Sequence, residues 1–226
     1  MHLLMAFVGR PAGGDQRFPG RLHALSLCPV APCITRRRTL AALAGGLPWP
    51  AEAADRAPLR ELRAGGVLLM RHTQTVPGVG DPPGWRLDQC GTQRNLNEQG
   101  IAHAQRIGRW FAAQRLVPTT VRHSPWCRAR DTARLAFGRG EAWAALANIF
   151  DDRSGADAQA EAVRAFVRAM KPGELAVLVS HGVTIAHLVG GAGLALAPGE
   201  SVLVRAGASG ASAAVPLVVL GRLVVP

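Results

Sequence analysis

The sequence is nearly devoid of lysine and contains no tyrosine: its 226 residues include one Lys, Lys171, against 25 Arg. Because a nucleotide-binding P-loop needs a lysine after its glycine-rich stretch, and Lys171 lies between Met170 and Pro172, that motif is absent. The lack of Tyr leaves few aromatic rings for stacking on bases. Although the formal net charge is +11, the arginines are dispersed, so we expect no nucleic-acid partner. A small anionic substrate suits the charge as well.

The usual metal-binding patterns and long apolar runs are also missing. The four cysteines, at 28, 33, 90 and 127, lack the paired spacing of zinc ligands, and no H-E-x-x-H motif occurs. The longest weakly polar stretch, from Gly182 to Pro198, is interrupted by His187. We therefore expect no metal, no cofactor and no stable insertion into a membrane.

The first 53 residues have the order of an export signal. Residues 35–40, Thr-Arg-Arg-Arg-Thr-Leu, are typical of a twin-arginine motif, an apolar stretch follows to Leu47, and Ala51-Glu52-Ala53 fits a cleavage site. About 35 residues precede the arginines, which fits a start codon assigned too far upstream. We predict a poorly ordered leader over residues 1–53 and export to a periplasm. The alternative is a basic leader without function on a cytoplasmic protein.

Removal of this leader leaves residues 54–226 as one domain. The 173 remaining residues include 20 basic and 13 acidic ones, a net charge of +7, and retain only Cys90 and Cys127. An oxidising compartment permits disulfides. The two cysteines either pair or remain buried free thiols, and we predict the disulfide.

The hydropathy pattern of this domain alternates between strands and helices. Apolar runs predict strands at 66–70, 119–123, 175–179, 201–204 and 215–225. Helical patterns begin after the capping sequence 95–98, at 128 and 158, and at 184. This alternation favours an α/β sandwich with a mainly parallel sheet, in which ligands bind beyond the carboxyl ends of the strands.

Three of these strand ends carry residues suited to phosphoryl chemistry. The first strand is followed by Arg71-His72, the second by Ser124 and then Arg128, and the third by His181. A neutral imidazole can attack phosphorus, and a neighbouring guanidinium favours the neutral form. Arginines bind phosphoryl oxygens and stabilise the charge that develops during transfer. The pattern indicates a phosphoryl pocket that requires no metal.

Three motifs in this order resemble the histidine phosphatase (phosphoglycerate-mutase-like) superfamily: residues 67–72, residues 124–133 and residues 180–182. The sequence at 95–100 is similar to the start of the helix that follows the first motif in that family. The resemblance covers about residues 64–204. It implies a three-layer α/β/α sandwich of the phosphoglycerate-mutase-like type. It also implies that His72 becomes a phosphohistidine that water hydrolyses, while Arg71, Arg128 and His181 hold the phosphoryl group.

The sequence departs from the family pattern at Thr73, where Gly or Ala usually follows the histidine. A Thr at this position is compatible with the pattern if its side chain points away from the phosphoryl group. The resemblance also implies a carboxylic acid some two dozen residues beyond Arg128, which predicts Asp152 as the acid that protonates the leaving group. An exposed turn or an ion pair with Arg153 is the alternative for Asp152. Its rivals as the acid are Asp81, Asp88 and Glu141.

Other residues are assigned with less chemistry behind them. Thr75, Gln93 and Arg94 are predicted to contact substrate, although Arg94 is equally well explained as a surface residue. His103, His123 and His187 are interpreted as packing or surface histidines.

Two other functions are compatible with the same motifs. A mutase that returns the phosphoryl group to its substrate would need an inserted segment that closes over the site. Arg128 and His181 are only 53 positions apart, which leaves little room for such a segment. A non-catalytic binder of phosphorylated ligands would not need all four pocket residues. Hydrolysis is therefore favoured. The sequence defines neither the physiological substrate nor the oligomeric state.

Overall fold

A computed structural model describes residues 59–191, 194–207 and 217–225. The predicted leader, residues 1–53, lies outside these ranges. The described residues form six strands: β1 (Gly66–Arg71), β2 (Thr120–His123), β3 (Glu141–Ala142), β4 (Leu175–Ser180), β5 (Ser201–Arg205) and β6 (Val218–Leu223). Four α-helices lie between them: α1 (Glu98–Ala113), α2 (Cys127–Phe137), α3 (Ala156–Ala169) and α4 (Gly182–Leu188).

The strands form one sheet in the order β3-β2-β4-β1-β5-β6. β3, β2, β4 and β1 are parallel, whereas β5 and β6 pair antiparallel at the other edge. All six residues of β4 are buried, as expected for a central strand covered on both faces. The mainly parallel sheet confirms the predicted fold class.

Two hydrophobic cores lie on opposite faces of this sheet, because successive side chains of a strand alternate between its faces. On one face, Leu68 and Met70 of β1 belong to a core shared with α1 and α2. On the other face, Val67 and Leu69 pack in a core with α3 and α4. The result is the three-layer α/β/α sandwich that the resemblance implies.

Helix α1 shows how local sequence sets these layers. Asn97 begins the helix by accepting a hydrogen bond from the Gly100 N–H at 2.8 Å. Ala104, Ile107 and Phe111 then form its buried stripe, and full burial of an apolar side chain of the size of Ile or Phe stabilises the fold by about 1.5–3 kcal/mol.

The first turn of α1 lies unusually close to the chain that follows β1. A Cβ atom added at Gly100 would stand 1.9 Å from the carbonyl oxygen of Gln74, so only glycine fits at this position. The Asn97 N–H also donates to the same carbonyl at 3.1 Å. This contact holds the segment after β1 in place, and that segment contains His72.

Most strands and helices begin and end within one or two residues of the predicted positions, but β2 and β6 are shorter than the predicted runs 119–123 and 215–225. The two-residue strand β3 was not predicted, because Glu141–Ala142 is too short to show a period and both residues are exposed. None of the helices in the described ranges combines the length and the hydrophobicity needed to cross a membrane.

Candidate active site

The carboxyl ends of β1, β4 and β2 lie side by side and deliver the predicted residues to one edge of the sheet. The His72 N–H donates to the Ser180 carbonyl at 2.9 Å, and the Ser124 N–H donates to the Val179 carbonyl at 2.8 Å. These bonds continue the parallel pairing just beyond the strands. As a result, the imidazole rings of His72 and His181 have centroids only 5.3 Å apart.

His72 is buried, with 4% of its surface exposed. Its Nδ1 lies 2.8 Å from the Thr73 carbonyl oxygen. Since a carbonyl only accepts hydrogen bonds, Nδ1 carries the proton and Nε2 retains its lone pair. Burial, together with the nearby Arg128 and Arg71, lowers the pKa of His72 to about 3, so the ring is neutral at physiological pH.

His181 has a similar environment. It is 3% exposed, and burial together with the neighbouring His72 and Arg128 holds its pKa well below the usual value. Its Nε2 and the Ser124 hydroxyl oxygen are hydrogen-bonded at 2.8 Å. The serine that precedes the Pro-Trp-Cys-Arg sequence therefore fixes the orientation of the second imidazole.

Arg128 is held by a buried carboxylate. Its two terminal nitrogens donate to the two carboxylate oxygens of Asp81 at 2.7 and 3.1 Å, and the two side chains are 2% and 0% exposed. Burial opposes ionisation of Asp81, but hydrogen bonds from Arg128 and the Arg94 N–H bring its pKa below the ordinary value. The Trp126 indole N–H donates to the same carboxylate at 3.0 Å.

Asp81 is therefore an ionised anchor for Arg128. The sequence had offered it as a rival general acid. A carboxyl group with a lowered pKa and four hydrogen bonds has no proton to give at neutral pH, so the acid role does not fit this residue.

Arg71 and Arg94 complete the ring of cations. Arg71 donates to the Leu196 carbonyl at 2.6 Å, and Arg94 donates to the Gly78 carbonyl. The Nε atoms of Arg71, Arg94 and Arg128 are buried and have no hydrogen-bond acceptor. An unsatisfied buried donor is costly, and a bound anion would supply acceptors here.

These residues form the floor of one open cavity of about 820 Å³. We use "floor" for Arg71, His72, Arg94, Arg128 and His181, and "rim" for the other lining residues. The rim comprises Gly78, Val79, Gly80, Asn148, Phe150, Arg153, Gly182, Val183, Ala186, His187, Gly190, Leu194, Ala195 and Leu196. Among the described residues that line this cavity there is no Asp or Glu.

The prediction that Asp152 is the general acid finds no support in the geometry. Asp152 is exposed and does not line the cavity, although Arg153 does. Its carboxylate accepts the Ser154 N–H at 2.8 Å, and this bond lowers its pKa, so the group is ionised and has no proton to donate at neutral pH. Asp152 does not form the alternative ion pair with Arg153 either. It lies in an exposed turn, which was the other alternative.

Two of the three predicted substrate contacts lie outside the cavity. Gln93 is buried and bridges two segments: its amide donates to the Arg86 and Leu87 carbonyls, and its oxygen accepts the Cys127 N–H at 3.0 Å. Thr75 pairs with Leu96 in an isolated bridge. These two residues shape the loop between β1 and α1, whereas Arg94, the third, does line the floor.

The Thr73 side chain does not line the cavity. Its hydroxyl and its backbone N–H both bond the hydroxyl of Thr132, at 3.2 and 3.1 Å. Thr132 in turn donates to the Arg128 carbonyl at 2.8 Å. The departure from the family pattern at position 73 therefore adds a link between the chain after β1 and the first turn of α2.

Cys90 and Cys127 form a disulfide in the structure, with their Cα atoms 5.7 Å apart. Cys127 is the first residue of α2 and precedes Arg128. The loop that contains Asp81 and Arg94 is thus fastened to the start of α2 by this bond, by Gln93 and by Asp81 itself.

The remaining three histidines differ in whether they line the cavity. His103 bonds the Val225 carbonyl at 3.0 Å and His123 bonds the Ser124 carbonyl at 2.8 Å, and neither lines the cavity. His187 does line it, which the sequence reasoning missed. The sequence feature that could have indicated this is its position five residues after Gly182, on a helix that begins at the site. In the described part of the chain, no three His, Cys, Asp or Glu side chains cluster as metal ligands would.

Residues 67–153 match the model of the histidine phosphatase superfamily (branch 1). The matched stretch contains Arg71, His72 and Arg128, and the fold brings His181 from beyond it to the same floor. Over this stretch the chain is similar to the histidine phosphatase superfamily. No curated protein is significantly similar in sequence.

Solved structures share the fold. The protein histidine phosphatase SixA, complexed with tungstate, is 15% identical with a TM-score of 0.50, and the match covers 70% of this chain and 95% of that one. The product of open reading frame Rv3214 from Mycobacterium tuberculosis is 18% identical with a TM-score of 0.50, covering 70% and 96%. At these identities, the similarity shows a shared fold and nothing beyond it.

Proposed function

We propose that this protein is a phosphatase that hydrolyses small phosphorylated compounds through a phosphohistidine formed on His72. The observation that carries the proposal is the state of this imidazole. It is neutral, its Nδ1 proton is bonded to the Thr73 carbonyl, and its free Nε2 belongs to a floor lined by three guanidinium groups and a second imidazole.

The proposed reaction has two steps. In the first, the Nε2 lone pair of His72 forms a bond to phosphorus while the bond from phosphorus to the leaving group breaks. The positive charge that develops on the ring is stabilised by the Nδ1–H bond to the Thr73 carbonyl. In the second, water attacks phosphorus, the N–P bond breaks, and inorganic phosphate and neutral His72 are regenerated.

Arg71, Arg94, Arg128 and His181 contribute to both steps by binding the phosphoryl oxygens. Asp81 takes one donor from each terminal nitrogen of Arg128, and the Arg94 carbonyl accepts a third N–H at 3.4 Å. Of the five guanidinium donors, the Nε–H and one further N–H remain for an anion. Fixed cations that need no reorganisation lower the barrier to phosphoryl transfer.

The lack of carboxyl groups around the cavity bears on the leaving group. With no Asp or Glu among the described lining residues, no carboxylic acid in that part of the chain is positioned to protonate a departing alkoxide. We propose that the preferred substrates have leaving groups that depart as stable anions or already carry a proton, such as aryl phosphates, acyl phosphates, phosphoanhydrides and phosphoramidates. The rate should then fall steeply as the pKa of the leaving group rises.

The test is the substitution His72→Gln, assayed on 4-nitrophenyl phosphate. We expect the turnover to fall by about a thousandfold or more, because the nucleophile is lost. His103→Gln is the matched control, since His103 is partly buried and does not line the cavity. Acid quenching of the wild type during turnover should trap an acid-labile phosphoenzyme that the variant lacks. Equal rates for wild type and His72→Gln would refute the proposal.

We also propose that the chain is exported and that its mature form begins at Ala54. The twin-arginine pattern at Arg36-Arg37 and the cleavage pattern before Ala54 support this. The disulfide suits an oxidising compartment. Replacement of both arginines by lysine should keep the uncleaved chain in the cytoplasm, as measured by cell fractionation and intact mass. If the variant were found in the periplasm with the mass of a chain that begins at Ala54, the proposal would be contradicted.

A further inference from the structure

The cavity is much larger than a phosphoryl group requires. Its volume of about 820 Å³ falls within the range of roughly 300–1,000 Å³ that accommodates organic ligands of drug size. The five floor residues account for the phosphoryl group, so the space along the rim is available to the rest of the substrate.

One part of the rim is apolar although it faces solvent. Val79 is 86% exposed and Phe150 is 49% exposed, and both line the cavity. A Cβ atom added at Gly80 would stand 3.8 Å from the Phe150 ring, so the two loops that carry these side chains approach each other. Exposed apolar side chains beside a catalytic cavity are typical of a surface that an organic group covers.

Helix α4 contributes another part of the rim. Val183, Ala186, His187 and Gly190 line the cavity, and their spacing of three and four places them on one side of the chain as it turns. Leu194 and Leu196, which follow the helix, add further apolar surface.

The rim also carries a cation without a carboxylate partner. Arg153 lines the cavity and forms no ion pair within the described residues, even though Asp151 and Asp152 precede it. His187, by contrast, is paired with Asp157 at 3.1 Å. Arg153 is therefore the rim residue whose charge is left for a ligand.

We propose that the rim is a leaving-group subsite for an organic group with an apolar face and a second negative charge. Phe150 and Val79 would cover the apolar face, and Arg153 would pair with the distal anion. This inference rests on the proposed function, because the floor must hold the phosphoryl group for the rim to hold the remainder. The substrate would thus be an anionic organic phosphate with charges at both ends.

The test compares two aryl phosphates that differ only at the far end. One carries a propionate para to the phosphate, and the other carries the corresponding propionamide, so the two phenol leaving groups have similar pKa values. We expect the wild type to favour the propionate by about fivefold in kcat/KM, the size of an exposed charge pair. Arg153→Gln should bring this ratio close to one.

Arg109→Gln is the matched control, because Arg109 is exposed on α1 and outside the cavity. It removes the same charge from the protein and should retain the wild-type ratio. A wild-type ratio near one, or a ratio that falls equally in both variants, would overturn the subsite and leave the phosphatase intact. If His72→Gln turned over both substrates at the wild-type rate, the proposed function would be overturned instead.

Discussion

The floor and the rim of the cavity are built in different ways. On the floor, His72, Arg128 and His181 are 4%, 1% and 3% exposed, and each has a defined hydrogen-bond partner. On the rim, Val79 and Phe150 are 86% and 49% exposed, and Arg153 has no ionic partner among the described residues. Four of the five floor residues lie at or just after three adjacent strand ends, and Arg94 comes from the loop between β1 and α1. Most of the rim comes from loops and from the short helix α4.

This difference separates the chemistry from the selection of substrate. Groups fixed by a buried sheet act on the phosphoryl group, which all substrates share. Groups on exposed loops contact the portion that differs between substrates, and such segments tolerate sequence change without loss of the core. A substitution on the floor should therefore affect folding and catalysis together, while one on the rim should affect preference.

The largest effect on stability is expected from Asp81→Asn. The substitution keeps the shape of the side chain but leaves the buried Arg128 guanidinium without a counter-charge, which costs about 3–5 kcal/mol in comparable buried pairs. The free energy of unfolding in urea measures this loss. Because a bound anion replaces the missing charge, added phosphate should raise the Tm of the variant more than that of the wild type.

Asp88→Asn is the control for this experiment. Asp88 is also paired with an arginine, at 3.0 Å, but its side chain and that of Arg86 are 65% and 61% exposed. Exposed pairs contribute about 0–1 kcal/mol. If the two substitutions cost the same, the buried pair does not anchor Arg128 in the floor.

The disulfide is the second test of how the floor is held. Cys90 and Cys127 are 37 residues apart in sequence, and crosslinks that close loops of this kind typically stabilise by about 2–4 kcal/mol. The double variant Cys90→Ala, Cys127→Ala should lose that amount, measured by urea denaturation. The kcat/KM should also fall several-fold, because the loop with Asp81 and Arg94 is less firmly fastened to α2.

Reducing agent provides the matched comparison. Added reductant should shift the unfolding midpoint of the wild type towards that of the double variant and leave the variant unchanged. If the variant and the wild type have the same midpoint and the same kcat/KM, then Gln93 and Asp81 suffice to hold the loop.

Much of the floor could be predicted from the sequence because it depends on short-range patterns. An apolar run followed by Arg71-His72 specifies both a strand and what stands at its end. Parallel strands bring their carboxyl ends to one edge, so His181 could be added without knowledge of the register.

The parts that were missed depend on where loops close. Asp81 lies 47 positions before Arg128 in a Gly- and Pro-rich loop, and no periodic pattern connects the two. Asp152 was assigned by its distance along the chain, but the turn at 151–155 directs it to solvent, where Ser154 is its partner. Arg153 and Phe150, its neighbours, reach the cavity instead. Spacing in sequence does not fix direction in a loop.

The smallest expected effect is the dependence of stability on pH, and it again distinguishes the floor. The pKa of His72 falls to about 3 in the folded protein, against about 6.5 in the unfolded chain. Above pH 6.5 both states are neutral and His72 adds no pH dependence. As the pH falls from 6.5 towards 3, the unfolded chain takes up a proton that the folded protein does not, so stability decreases. The loss is at most about 1.4 kcal/mol per pH unit for one such group.

Urea denaturation between pH 7.5 and 4.5, in buffers without phosphate, should therefore give a steeper decline for the wild type than for His72→Gln. Parallel curves would mean that His72 titrates with the same pKa in the folded and unfolded states, so that burial would not keep the ring neutral below pH 6.5.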